Sequence, residues 1–185
     1  MSLAGHLREL RRRLFWAVLV FAALSVVCFL FIERFVDLAL AISPGFDFVY
    51  LAPSELVTSY MKLALALGLV FSLPFILWQL WAFVQPGLTE REEWAARPAL
   101  IAGVIFFILG VVFCYFIVLP MTLRFFYNFN GSQEIQASIS FNTYLNFLLG
   151  MLAAFGLVFE MPPVSFILAR LGILKPALLV KGRKS

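Results

Sequence analysis

The sequence predicts an all-α polytopic membrane protein in which four transmembrane helices form a single membrane domain over residues 1–185. Hydrophobic residues make up 63% of the chain and charged residues 13%, and the mean hydropathy is +1.00. An ordinary soluble domain contains only ~45–50% apolar residues. The charges also fall between long uncharged runs, each close to the length that crosses ~30 Å of hydrocarbon. Together these observations exclude a water-soluble fold.

The first two predicted segments are an amphipathic helix over residues 1–13 and span 1 over residues 14–32. Leu3, Leu7 and Leu10 recur at helical spacing, and arginines fill much of the opposite face. We therefore expect residues 1–13 to lie at the membrane interface and to lead into the membrane. Residues 14–32 carry no charge, and at ~1.5 Å per residue they make about one bilayer crossing.

An ordered outer cap is predicted over residues 33–62, because this connection is too long for a hairpin turn and contains proline and glycine breakers. We expect a short amphipathic helix along the outer surface, and we assign Pro53 to this cap. Ser54 is the expected N-cap of the next helix. Span 2 follows over residues 63–84, which carry no charge.

The connection over residues 85–97 is an acidic cytoplasmic loop that contains Glu90, Glu92 and Glu93. Thr89 and Glu92 have the spacing of a capping box, so helix capping explains Glu92 from local sequence alone. Carboxylates on a side dominated by arginine are nevertheless unusual, and they can take guanidinium groups in two-point hydrogen bonds. The rest of the chain divides into span 3 over residues 98–123, an outer loop over 124–143, span 4 over 144–169 and a basic tail over 170–185.

The distribution of positive charge predicts the orientation of the chain. Eleven Lys and Arg residues lie on the side of the N-terminus, whereas the other side has only Arg34, Lys62 and Arg124. Positive residues concentrate on the cytoplasmic side of membrane proteins. We therefore expect the N-terminus, the acidic loop and the basic tail to be cytoplasmic.

The residues that catalysis usually requires are scarce. His6 is the only histidine, and the sequence has neither a zinc-protease motif nor a phosphate-binding loop. Cys28 and Cys114 lie inside apolar runs, which favours two buried hydrophobes over a disulfide or a metal pair. We predict that the protein is not an enzyme and that it has no cofactor, no metal site and no nucleic-acid partner.

Two polar residues lie inside the predicted spans. Glu160 is the only charged residue of residues 135–169. An ionised carboxylate in hydrocarbon is costly in free energy. We therefore expect Glu160 to face a protein interior, a cavity or a polar partner, or to be protonated. Intramembrane acids are functional by default, although Glu160 also has a structural explanation, in which it satisfies backbone groups freed by Pro162 and Pro163. Gln79 has two equally good explanations, a functional role or a hydrogen bond to a neighbouring helix.

Three stretches of the chain carry a resemblance to a known family. They read His-Leu-Arg-Glu-Leu-Arg-Arg-Arg-Leu at 6–14, Leu-Pro-Phe at 73–75 with Gln-Leu-Trp-Ala-Phe-Val-Gln-Pro-Gly-Leu at 79–88 and Glu92, and Phe-Gly-Leu-Val-Phe-Glu-Met-Pro at 155–162. In this order and topology they resemble TatC, the multispanning receptor subunit of the twin-arginine protein translocase. The resemblance extends over essentially the whole chain.

The resemblance implies that the protein takes part in exporting folded proteins across the bacterial cytoplasmic (inner) membrane with the proton-motive force. By motif position, Glu9 and Glu92 would receive the arginines of the signal peptide, and Phe83 would lie beside them. Glu160 would be the family's buried acid on span 4, and Pro53 would belong to the outer cap. The partners it implies are twin-arginine signal peptides of folded cargo, single-span TatA and TatB type subunits, other copies of the chain and the lipid bilayer.

Two further functions stay open from the residues alone. A proton-coupled small-solute transporter would use Glu160 as its protonatable site, and a structural scaffold would depend on none of these acids. The family has six spans, and the sequence resembles the first four of them, so we expect a shortened chain. Glu9 and Glu92 distinguish a signal-peptide receptor from both alternatives.

Overall fold

A computed structural model describes residues 3–43, 45–85, 90–129 and 138–170. The described chain is mostly helical, with one pair of short strands. In order, its elements are α1 (Leu3–Leu30), α2 (Ile32–Ala41), β1 (Asp47–Val49), α3 (Pro53–Val84), α4 (Glu90–Phe113), a π-helical segment (Cys114–Val118), α5 (Leu119–Phe129), β2 (Ser138–Ser140) and α6 (Phe141–Arg170).

Four stretches of these helices are long and apolar enough to cross a membrane, which confirms the predicted fold class. The third stretch combines α4, the π-helical segment and α5, which follow one another without a break. The four stretches are Leu7–Leu30, Pro53–Phe83, Leu100–Asn128 and Phe141–Phe166.

The helices extend further than the predicted spans. Residues 3–13 form the first part of α1 and not a separate interfacial helix, since no breaker separates them from the apolar run that follows. Likewise α3 begins at Pro53, inside the segment expected to be cap, and α5 continues to Phe129, inside the predicted outer loop. Charged residues mark where a span leaves the hydrocarbon, whereas helices end at turn residues.

The start of α3 differs from the expected capping by Ser54. Pro53 occupies the first helical turn, where its missing N–H is not needed, and Ala52 is the N-cap without a side-chain hydrogen bond. Glu55 accepts the backbone N–H of Leu51 at 2.7 Å. Glu55 also accepts a hydrogen bond from the Ser140 hydroxyl, which ties this end of α3 to β2.

A two-stranded parallel sheet, which the all-α prediction did not include, closes the cap. β1 pairs with β2 in the register Asp47 with Ser138 and Val49 with Ser140. Three-residue strands leave almost no periodic signal in a sequence. Here we use "cap" for α2, β1 and β2, "cap side" for the end of the helices next to it, and "N-terminal side" for the opposite end, where α1 begins.

The spans form two helix pairs, α1 with α3 and α4 with α6. The pairs join near the cap, where two groups of buried residues meet around the start of α6. The first group is Cys28, Ile32, Val36, Leu63, Ala64, Phe141 and Leu145, and the second is Ala39, Phe46, Cys114, Leu119, Leu123, Tyr144 and Leu148.

Polar contacts reinforce this joint between the pairs. The Lys62 ammonium donates to Asn142 Oδ1 at 2.9 Å and to Asn146 Oδ1 at 3.1 Å, so α3 and α6 are linked at their cap ends. The hydroxyls of Tyr115 and Tyr144 donate to the carbonyls of Leu38 and Ala39. These carbonyls belong to the last turn of α2, and the last carbonyls of a helix have no N–H partner within the helix.

Small residues set the spacing within each pair. A Cβ atom added at Gly68 of α3 would lie 2.8 Å from the Ser25 Cα of α1, and one added at Gly110 of α4 would lie 2.7 Å from the Phe155 carbonyl oxygen of α6. Such close approach favours helix association in membranes, where dispersion and hydrogen bonds replace the hydrophobic effect.

Replacing Gly68 with Ala should therefore destabilise the α1–α3 pair. The added methyl group must displace backbone, which typically costs about 1–3 kcal/mol, and the melting temperature of the detergent-solubilised protein should fall. Gly150→Ala is the matched control, because nothing lies within 4 Å of an added Cβ there. If the two variants melt at the same temperature, the described α1–α3 packing is wrong.

Candidate functional site

The N-terminal side of the α1–α3 pair brings together Glu9, Arg13 and Gln79. Arg13 donates to Glu9 Oε1 from Nη2 at 2.6 Å and from Nε at 3.1 Å. A third donor of the same guanidinium, Nη1, reaches Gln79 Oε1 on α3 at 3.4 Å. One arginine thus bridges the two helices through a carboxylate and an amide oxygen.

Helix geometry explains half of this arrangement. Glu9 and Arg13 are four residues apart on α1, so their side chains meet on one face, and the order Glu before Arg is the favourable one. Their side chains are 27% and 25% exposed. The pair is therefore partly shielded from water, and its two N–H donors converge on one oxygen, which is the kind of charge-assisted contact that holds a guanidinium in place.

A cavity of about 640 Å³ opens beside this pair. Its walls combine aromatic rings from both helices with the polar side chains of α1, and its described lining contains three arginines and one carboxylate. The lining residues are Gly5, Arg8, Glu9, Arg12, Arg13, Trp16, Phe75, Trp78, Gln79 and Ala82.

The lining of this cavity offers groups for non-covalent contacts. Glu9 and Gln79 supply acceptor oxygens, and the ring faces of Trp16 and Trp78 can attract a cation. Among the residues that the structure describes, no group of three or more His, Cys, Asp or Glu side chains is placed to hold a metal ion. The three arginines of the described lining outnumber its one carboxylate, which is already paired with Arg13.

Glu160 lies on the other helix pair, on the face of α6 that packs against α4. A Cβ atom added at Gly103 would lie 3.1 Å from Glu160 Oε2, so the carboxyl group occupies the space that this glycine leaves. Glu160 Oε1 is buried and has no hydrogen-bond partner among the described residues. The structural explanation, in which Glu160 satisfies backbone groups near Pro162 and Pro163, has no hydrogen bond in the described chain to support it.

The other predicted site residues fall at different places. Phe83 is half-buried on α3, one helical turn beyond Gln79. The backbone of Glu92 belongs to the first turn of α4, but its side chain and the whole of Thr89 lie outside the described residues, so the capping box is not described. Pro53 starts α3 on the cap side, at the far end of α3 from Gln79.

The four-residue spacing of Glu9 and Arg13 is visible in the sequence, but what the fold adds to it is not. Gln79 reaches Arg13 from 66 residues away, and no local pattern signals such a contact. Trp16, Phe75 and Trp78 join the cavity only because α1 and α3 are paired. For the position of Glu160, the sequence does contain one signal, Gly103. A glycine in a span leaves room for a side chain of a neighbouring helix.

Fold and site together define a multispanning helical membrane protein with a polar and aromatic cavity at the N-terminal side of one helix pair. The family model described as "Sec-independent protein translocase protein (TatC)" matches residues 5–185. The chain belongs to the TatC family and is a multi-span membrane component of the Sec-independent translocase, as the sequence resemblance predicted.

Individual relatives support the same assignment. The chain is 35% identical over 189 residues to the Sec-independent protein translocase protein TatC of Aquifex aeolicus, covering 100% of this chain and 79% of that protein. It is 34% identical over 184 residues to the TatC of Campylobacter jejuni, covering 96% and 75%. A crystal structure of the twin arginine translocase receptor TatC in DDM superposes with a TM-score of 0.84 at 34% identity, covering 97% of this chain and 82% of that one.

The unpartnered carboxylate of Glu160 predicts that an apolar residue of similar length will be tolerated for stability. Glu160→Met should keep or raise the melting temperature, because a buried polar atom without a partner typically costs about 1–3 kcal/mol. Tyr144→Phe on the same helix is the comparison, since it removes the hydrogen bond to Ala39 and should lower the melting temperature. A loss of stability in Glu160→Met as large as that in Tyr144→Phe would show that Glu160 makes a stabilising bond.

Proposed function

We propose that this protein is a twin-arginine signal-peptide receptor and a core subunit of the translocase that exports folded proteins. In this proposal its guests are the signal peptides of folded cargo, and the proton-motive force drives transport across the bacterial inner membrane. The protein has no catalytic role of its own and uses no cofactor.

The observation that carries the proposal is that Glu9 holds a guanidinium group. Two N–H donors of Arg13 converge on Glu9 Oε1 at 2.6 and 3.1 Å. A signal arginine offers the same donors in the same fork, so an oxygen placed to accept one guanidinium is placed to accept another. The relatives with solved structures are described as twin arginine translocase receptors, which agrees with this use of the site.

The second carboxylate in the proposal is Glu92. It stands in the first turn of α4, which begins six residues after α3 ends at Val84, on the side of the membrane where Gln79 and Phe83 lie. A receptor for two consecutive arginines needs more than one acceptor, and the described cavity supplies Glu9 alone as a carboxylate. We therefore assign Glu92 to the second arginine and Phe83 to the apolar edge of the same site.

Charge distribution supports placing this site in the cytoplasm, where signal peptides arrive. Four crossings put the starts of α1 and α4 and the end of α6 on one side, and that side carries seven of the ten Lys and Arg residues in the described ranges. The cap, with Pro53 at its edge, then faces the opposite side of the inner membrane.

Glu160 suggests where single-span partners approach. Its Oε1 atom is buried without a hydrogen-bond partner among the described residues, and an acid in this state inside a span favours a polar partner. We assign this region of the α4–α6 pair to contact with TatA and TatB type subunits or with the helix of the signal peptide. Other copies of the chain complete the assembly.

The same observation supports the second candidate, a proton-coupled transporter of small solutes. A buried carboxyl group in a span is also the usual protonatable site of such proteins. The two candidate functions differ in whether they depend on Glu9. A transporter that uses Glu160 has no need of a guanidinium site on α1.

Binding of a synthetic signal peptide tests the proposal. Glu9→Gln should weaken binding of a fluorescent Arg-Arg peptide to the purified chain in nanodiscs by about tenfold to a hundredfold, because a hydrogen bond to a charged group is worth ~1.5–3 kcal/mol. Glu92→Gln should act in the same direction. A Lys-Lys peptide should bind weakly to every variant.

Glu33→Gln is the matched control, because it removes the same charge from an exposed position on the cap helix α2. It should leave peptide affinity unchanged. Equal affinities for Arg-Arg and Lys-Lys peptides, or no loss in Glu9→Gln, would rule out the receptor role. Proton-coupled solute uptake that depends on Glu160 and not on Glu9 would support the transporter instead.

A further inference from the structure

One oxygen of the carboxylate assigned to the signal arginine, Glu9 Oε1, is already in use. Arg13 holds Glu9 Oε1 with two N–H donors, one of them at 2.6 Å, which is short even for a charge-assisted bond. An arginine from a signal peptide that used the same oxygen in the same way would have to replace Arg13. The chain therefore carries its own occupant for its proposed receptor site.

The rest of the contact shows that Arg13 has somewhere to go. Its third interaction, to Gln79 Oε1 at 3.4 Å, is long for a charged donor and is made to a neutral amide. If a guest takes Glu9, Arg13 keeps Gln79 within reach, and its exposed fraction of 25% leaves part of the guanidinium in contact with solvent. After such an exchange Arg13 would keep a neutral hydrogen-bond acceptor and partial contact with solvent.

We propose that Arg13 is an intramolecular competitor that sets the affinity threshold for guests at Glu9. This inference rests on the receptor function proposed above and adds its regulation. A competitor within the chain reduces the fraction of molecules whose site is free, and the apparent affinity falls by that fraction. Weak cationic guests do not bind Glu9 strongly enough to displace Arg13. A guest that also fills the cavity beside Trp16, Phe75 and Trp78 does.

The competitor model makes a quantitative statement about selectivity. The free-energy cost of displacing Arg13 is the same for every guest that uses Glu9. Removing Arg13 should therefore raise the affinity of every such guest by the same factor. The ratio between a stronger and a weaker guest should stay the same. A residue that contacts the guest directly would change that ratio.

Arg13→Gln tests this with the full chain in nanodiscs and with two synthetic signal peptides, an Arg-Arg and a Lys-Arg version. Affinity for both peptides should rise by equal factors, by up to about fivefold, which is the range that exposed ion pairs span. Arg13→Lys keeps the positive charge but loses the forked N–H donors of the guanidinium group. It should raise the affinity for both peptides by a smaller factor than Arg13→Gln.

Arg12→Gln is the matched control for charge. Arg12 lines the same cavity but makes no ion pair within the described part of the chain. Its removal takes the same positive charge out of the site, so a purely long-range effect would appear equally in both variants. The competitor model expects a clearly larger gain for Arg13→Gln.

The same substitution in a Glu9→Gln background separates the two proposals. There the gain from Arg13→Gln should vanish, because the contested carboxylate is absent. If Glu9→Gln alone leaves peptide binding intact, the receptor function fails. If Glu9→Gln does weaken binding, four results of Arg13→Gln would overturn the competitor model alone. The first two are no gain in affinity and unequal gains for the two peptides. The others are a gain no larger than that of Arg12→Gln and a gain that persists in the Glu9→Gln background.

Discussion

The joint between the two helix pairs near the cap is the contact on which the rest of the structure depends. Lys62 reaches Asn142 and Asn146 across the α3–α6 contact, and Tyr115 and Tyr144 satisfy the last carbonyls of α2. A buried carbonyl without a donor is costly, so the bond from Tyr144 to the Ala39 carbonyl also helps to hold α2 in place. Because the described joint lies on the cap side, the N-terminal side is left for recognition.

Within each pair, the distance between helices is set by small residues. Gly68 lets α3 approach Ser25 of α1, and Gly110 lets α4 approach α6. Gly103 uses the same device for a different purpose, since it makes room for a carboxyl group and not for a backbone. Close packing thus explains both how the spans hold together and how one carboxyl oxygen of Glu160, Oε1, comes to be buried.

The sequence predicted the elements well where hydrophobic length decides them, and less well where tertiary contacts do. The four spans follow from uncharged runs, but the helix ends do not, because α1 and α3 continue through charged residues into water. The strands β1 and β2 are too short to show a period. At the site, the Glu9–Arg13 pair follows from helical spacing, whereas its bridge to Gln79 depends on how α1 packs on α3.

The central proposal is that a signal peptide docks one of its arginines at Glu9, in the cavity between α1 and α3. Photo-crosslinking measures this directly, with a photoactivatable residue in place of Ala82, which lines the cavity, or of Val57, which is exposed near the cap end of α3. An Arg-Arg peptide should crosslink at position 82 and not at 57, and a Lys-Lys peptide should give little product at either. Equal yields at the two positions, or equal yields with the two peptides, would contradict the claim.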